Sequence, residues 1–352
     1  MKKELFILSI VVAFSLLTYW LVEPFAHGQM HPHVEIEGFT YSGSSDIAQV
    51  DTKISKIKAD IETEKGKEKP DTKKLGALDK DMQVAEQRRE SKKAFWADVE
   101  RISALKGNAS AGEAVYANCT GCHMPGAAPM GGVVPPLLKT AGALYERNYL
   151  IGLIKDPAMA SNVDHKFSMT RPHQMDSVKY MVTTDQDIVD VIAYMESVAP
   201  KQDEITPEIA FQDACGRCHD VRYNNWTITG TKPTFKDKRD EMAFDIKHLD
   251  AQEGITGYMG KLPPDLSMYI RSRGEHYISA FVEDPQQLLL GTSMPRVGVN
   301  AESAEKVIAY LEEAGDPVAE ERNRVGKYVM IYMIFFILTA FLWKKQTWRD
   351  LH

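Results

Sequence analysis

The sequence has no cysteine to spare for a structural disulfide. Only four occur in 352 residues, Cys119, Cys122, Cys215 and Cys218, and each belongs to a C-x-x-C pair. A disulfide framework of the kind that staples small secreted domains is therefore excluded. A basic surplus is missing as well: 42 Lys and Arg stand against 49 Asp and Glu, a net charge of -7. Nucleic acid is not expected as a partner, because phosphate binding needs a clustered basic face. An acidic surface suits a basic partner better. Around the cysteines the alternation that marks strands is also lacking, and the texture is helical throughout. The fold class read from the chain is mainly α, long enough for two modest globular domains and additional segments.

The ends of the chain carry what the middle lacks, long apolar runs. Leu5 to Val22 is uncharged and comes after Lys2 and Lys3, and it is long enough to cross most of a bilayer core of about 30 Å at about 1.5 Å per residue. The next residues, "EPFAHGQMHPH", have no small-x-small cleavage pattern, so an uncleaved anchor is expected ahead of a removed signal. A second run, Tyr328 to Trp343, is succeeded by Lys344, Lys345 and Arg349. With both basic flanks in the cytoplasm, everything between the runs is expected outside it, on the periplasmic side of the inner membrane.

Behind the first run, His27, His31 and His33 lie close together; an H-x-H in a Pro-containing loop is read here as incidental. Ser44 to about Lys106 is dense in Lys, Glu, Asp and Gln and is broken near Pro70. It reads as two solvated helices, the second with Phe95, Val99 and Ile102 on one face at i, i+4 and i+7. No chemistry is assigned to it.

The remainder is an internal repeat. "AGEAVYANCTGCHM" from Ala111 matches "TPEIAFQDACGRCHD" from Thr206, each with an aromatic, Tyr116 or Phe211, ahead of C-x-x-C-H. "YLIGLIKDP" from Tyr149 matches "YISAFVEDP" from Tyr277, "SMTRP" from Ser168 echoes "SMPRV" from Ser293, and "VIAYMES" from Val191 matches "VIAYLEE" from Val307. These matches make two copies of one domain, each a few short helices with loops between them.

Three fixed positions in C-x-x-C-H narrow the chemistry. A zinc site needs four ligands, usually both cysteine pairs in one module, which leaves the histidine's constant position unexplained. A thioredoxin-like pair needs a surrounding sheet. Covalent haem attachment accounts for all three residues: the thiols reach the two vinyl groups of one porphyrin and the histidine binds its iron. Two haems of the c type are expected, one on Cys119, Cys122 and His123, the other on Cys215, Cys218 and His219.

Each iron then needs a sixth ligand or keeps an open face. In the second copy Met294, with Pro295 after it in a loop before the last repeat helix, is the candidate. In the first, Met159, Met169, Met175 and Met181 are in range. Repeat alignment selects Met169 and spacing to the closing helix favours Met175, with His165 and His173 as chemically distinct alternatives. Thioether ligation raises the potential and fills the iron's last site, which points to electron transfer without catalytic residues of the chain's own.

The second copy, with "LPPDLS" from Leu262, Met294 and a C-terminal anchor ending "LWKKQTWRDLH", resembles the cytochrome c1 subunits of ubiquinol:cytochrome c reductases, the bc1 complexes. From about Gly112 onward the chain looks like a two-haem bacterial variant with tandem class I cytochrome c domains of the cytochrome c4 kind. The familiar subunit has one haem and only the C-terminal anchor. The apolar runs, the charged segment and the repeat divide the chain into an anchor at 1–26, a periplasmic linker and charged insert at 27–106, domains resembling cytochrome c at 107–200 and 201–322, and a C-terminal anchor and cytoplasmic tail at 323–352. The resemblance implies a dimeric complex with cytochrome b and a Rieske iron-sulfur protein, and delivery of electrons to a soluble cytochrome c or a terminal oxidase. It further implies that Pro136 and Pro264 pack on the histidine side of each haem and that Arg271 or Arg273 neutralises a propionate. A dihaem subunit of a terminal oxidase or other reductase, and a dihaem peroxidase with an open iron, are the competing readings.

Overall fold

Apolar residues four and three apart run along the charged segment, and they fold it into a helical hairpin. The computed structural model describes residues 2–30, 38–167 and 172–349. Helix α1 spans Lys2–Met30, α2 Gly43–Lys65 and α3 Thr72–Ser103. Val50, Ile54, Ile57 and Ile61 of α2 close a small core on Ala85 of α3, flanked by Leu75, Leu78 and Met82. Asp71 ends the turn near Pro70 by accepting hydrogen bonds from the amides of Lys73 and Lys74, which satisfies two of the free donors that every helix start exposes. The expected face of α3 is buried: Phe95, Val99 and Ile102, joined by Trp96, leave the hairpin and enter the main core.

The repeat folds twice along the same plan. The first copy runs through α4 (Ala109–Cys119), α5 (Ala141–Leu144), α6 (Arg147–Lys155), α7 (Pro157–Ala160) and α8 (Asp185–Val198). In the second, α9 (Pro207–Ala214), a two-stranded antiparallel ribbon of β1 (Trp226–Thr227) and β2 (Gly230–Thr231), and α10 (Lys238–Met259) precede α11 (Tyr269–Arg273), α12 (Glu275–Glu283), α13 (Pro285–Leu288) and α14 (Ala301–Gly315). The first helix of each copy packs on the last, α4 on α8 and α9 on α14. At both crossings the aromatic ahead of the cysteines meets the tyrosine of the repeated "VIAY": Tyr116 and Tyr194 have ring centroids 5.0 Å apart, and Phe211 stacks on Tyr310 at 4.5 Å.

The Asp-Pro marker has one backbone geometry in both places. Asp156 (φ -150°, ψ 96°) ends α6 and caps α7, and Asp284 (φ -146°, ψ 93°) ends α12 and caps α13. In each the carboxylate accepts from an amide of the next helix and the proline occupies its first turn, where a missing N–H costs nothing. One continuous apolar cluster contains Ile151, Val191 and Ile192 of the first copy, Phe211, Val307 and Leu311 of the second, and Val99 and Ile102 of α3. The two copies and the hairpin are therefore packed together and are not separate beads.

The last helix, α15 (Ala319–Thr347), contains the second apolar run. Its most apolar stretch has a mean hydropathy of 2.0 and is wholly outside the packed body. Twenty-nine residues span roughly 43 Å, and among the described residues this is the helix long and apolar enough to cross a membrane. Helix α1 covers the N-terminal run, with Leu5, Phe6, Ile7 and Phe14 exposed.

The α4–α8 crossing is close enough to need glycine. A Cβ on Gly112 would lie 1.9 Å from the carbonyl oxygen of Asp190. Gly112→Ala is expected to lower stability by about 1–3 kcal/mol, the usual cost of overpacking. Denaturant unfolding of the detergent-solubilised protein measures it, and an unchanged midpoint would contradict the crossing.

Candidate cofactor sites

Both C-x-x-C-H segments fold into the same turn at the C-terminal end of a helix. In the first, the amides of Cys122 and His123 donate to the carbonyl of Cys119 at 3.2 and 3.0 Å; in the second, those of Cys218 and His219 donate to Cys215 at 3.0 and 3.0 Å. Such a turn brings two thiols and an imidazole to one side of the helix end. No thiol is in a disulfide. Burial pushes the thiols of Cys119, Cys215 and Cys218 up, that of Cys215 to about 12, so they stand as neutral S–H groups.

Each imidazole is held by a proline carbonyl. His123 Nδ1 lies 2.7 Å from the oxygen of Pro136, and His219 Nδ1 lies 2.9 Å from that of Pro264. A carbonyl only accepts, so Nδ1 carries the proton and Nε2 keeps its lone pair. Burial lowers the proton affinity of both rings, although the carbonyl bonds oppose it; Arg217 adds to the effect at His123. The result is a neutral histidine with a free Nε2 beside two thiols, twice. Pro136 and Pro264 thus touch the two histidines through their carbonyls. The connection is 13 residues long in the first copy and 45 in the second; the ribbon and α10 fill the difference. Asp220, next to His219, is tied to α10 by His248 at 3.0 Å and Gln252 at 3.0 Å.

The candidate sixth ligands fare unevenly. Met294 is half-buried in the loop after α13. Met169 lies outside the described residues, as do His31 and His33 and the side chain of His27. Met175 is half-buried in a short 3-10 turn, with its amide donating to Nδ1 of His173 at 3.1 Å, which puts the proton of the neutral ring on Nε2. His173 also lines a cavity of about 290 Å³ together with Phe167, Tyr258, Ser293 and Pro295. Arg271 and Arg273 are exposed on α11, and the charge of Arg271 reaches Asp316.

The donor set and its surroundings fit covalently held haem. Apolar side chains within four residues of each proline are exposed: Val134 and Leu137 in the first copy, Leu262 and Met268 in the second. Among the described residues no three His, Cys, Asp or Glu side chains cluster as metal ligands, so the two cysteine pairs do not meet in a zinc tetrahedron. Arg217, between the second pair of cysteines, is a residue that sequence reasoning misses. Its Nη1 donates to the carbonyl of Val134 at 3.3 Å, and its buried Nε has no partner among the described residues. A cation with a spare donor that reaches from one motif to the loop of the other suits a carboxylate-bearing ring edge. Only its position inside C-x-x-C hints at this.

Residues 109–199 match the Cytochrome c family. Over 43 residues the chain is 42% identical to cytochrome c1 of Allochromatium vinosum, a match that covers 12% of this chain and 18% of that protein. The match therefore spans under a fifth of the relative's length. No solved structure matches the chain. A cytochrome c domain implies covalently bound haem of the c type and a role in electron transfer.

Haem attachment through the first motif is directly testable. In a chain whose second motif is disabled by Cys215→Ser and Cys218→Ser, haem staining after denaturing electrophoresis is expected to persist. Adding Cys119→Ser and Cys122→Ser should abolish it, and stain that survives all four substitutions would contradict covalent attachment at these thiols.

Proposed function

We propose that the chain is a membrane-anchored c-type cytochrome with two haems, serving as the cytochrome c1-like subunit of a ubiquinol:cytochrome c reductase. The observation that carries this reading is the duplicated site: one turn of two thiols and a histidine, with its Nδ1 bonded to a proline carbonyl, present in both copies. Covalently bound haem supplies one-electron redox chemistry at iron. The chain's own residues do the rest. The four cysteines fasten the two rings, and His123 and His219 each present a neutral Nε2. Met294 would serve as the sixth ligand of the second haem and Met169 of the first, and thioethers in those places would favour electron transfer over catalysis.

In this reading the chain receives electrons from the Rieske iron-sulfur protein beside cytochrome b and passes them to a soluble cytochrome c or a terminal oxidase. The similarity of a short stretch to cytochrome c1 supports the assignment, as does an exposed apolar C-terminal helix with Lys344 and Lys345 in its last turn. Helix α1 is assigned as a second anchor, so that the haem domains stand on the periplasmic side of the inner membrane, within a dimeric complex. Arg271 is assigned as a candidate partner of a propionate of the second haem.

Purification from membranes in mild detergent tests the assignment. Cytochrome b and a Rieske protein are expected to co-purify with the haem-stained chain. A copper–haem oxidase in their place would move the chain to the oxidase class, and a resting spectrum with a high-spin, ligand-binding haem would move it to the peroxidases.

A further inference from the structure

The charged hairpin, given no chemistry on sequence grounds, buries its charges on the loop that carries Met294. Asp46 of α2, Lys92 of α3, and Arg296 are exposed by only 0, 1 and 2%. The Asp46 carboxylate accepts from the Arg296 guanidinium, from Trp96 Nε1 at 2.9 Å and from Lys92 Nζ at 3.3 Å. The same Nη2 of Arg296 that reaches Asp46 also donates to Asp284 at 3.0 Å, the residue that caps α13. Although burial alone would raise the Asp46 carboxyl, Arg296 and Lys92 hold it below its ordinary range. The cluster is therefore charged and its carboxylates are paired, while the buried Nε of Arg296 has no acceptor among the described residues.

Arg296 is fixed through its backbone as well. Its amide donates to the carbonyl of Ser161 at 2.9 Å, and its carbonyl accepts from the hydroxyl of Tyr149 at 3.0 Å. Three residues on, the carbonyl of Val299 accepts from Tyr41 at 3.0 Å, and the Arg296 guanidinium stands over the rings of Tyr41 and Trp96. Only Pro295 separates Arg296 from Met294, and two residues reach at most about 7 Å. With φ of Pro295 locked, the anchorage of Arg296 limits where the backbone of Met294 can stand.

Desolvating such charges costs free energy, and a buried ion pair stabilises a fold no more than apolar packing of the same volume would. What the cluster supplies is direction: a guanidinium in a fork of two carboxylates has one placement. The first copy is held from the same hairpin. Arg88 pairs with Asp164 through two bonds of 2.8 and 2.7 Å, and Lys92 donates to Asn162 at 2.9 Å.

We propose that the α2–α3 hairpin is a positioning clamp for the sixth ligand of the second haem, with Asp46 holding Arg296 and thereby keeping the Met294 thioether on the iron. This rests on the reading that Met294 ligates that haem, and the test separates the two. In the purified full-length protein, Met294→Leu is expected to remove the second haem's share of the thioether-to-iron absorption band and to lower one midpoint potential, since thioether ligation raises it. Asp46→Ala and Arg296→Ala are expected to reproduce that loss with haem content unchanged, and Arg296→Lys to retain more of the band than Arg296→Ala. Asp51→Asn, which removes the surface partner of Arg89 on the same hairpin, should leave band and potentials as they are. If Met294→Leu leaves the band intact with haem attached, the ligand assignment fails and the clamp with it. If Met294→Leu removes it while Asp46→Ala and Arg296→Ala keep both band and potential, the clamp alone is overturned. A band lost equally in Asp51→Asn would likewise overturn it, because the hairpin would then act through general stability.

Discussion

An imidazole binds a metal only through a nitrogen without a proton, and in this chain a proline carbonyl decides which nitrogen that is. The bonds from His123 to Pro136 and from His219 to Pro264 orient each ring, select its tautomer and free Nε2. The helix end places the thiols, and burial keeps the rings neutral. The packing of α4 on α8 and α9 on α14 fixes the helix end from which each turn departs. The rest of each copy serves to hold this one donor set in place.

Duplication then makes two such sites, and the packing between them makes one body. A shared apolar cluster joins the copies to each other and to α3. The guanidinium of Arg217, inside the second motif, reaches the carbonyl of Val134 beside the first proline pair. The two motifs are thus joined by apolar packing and by this hydrogen bond.

Features set by local spacing are legible in the sequence. The C-x-x-C-H turns, the helix starts, the Asp-Pro corners and the "VIAY" closing helices depend on neighbours a few residues apart, and their pattern repeats. The apolar face of α3 is legible for the same reason, since Phe95, Val99 and Ile102 recur at helical intervals. The meeting of distant polar residues is not legible. Asp46 and Arg296 are 250 residues apart, and nothing in "SSDIAQ" or "MPRVG" shows that an acid and a base will be buried against each other. The charged segment reads as a wet surface because its composition is polar; the structure corrects this, since a few of its charges turn inward where partners await them. Sequence favours Arg271 over Arg217 for a similar reason: a basic residue beside a recognisable phrase draws notice, while one between two cysteines reads as a spacer.

We propose that both donor sets hold haem, and the intact mass of the denatured chain decides it. The polypeptide mass plus two covalently bound haems is expected; a chain carrying one haem, or none, would overturn the proposal.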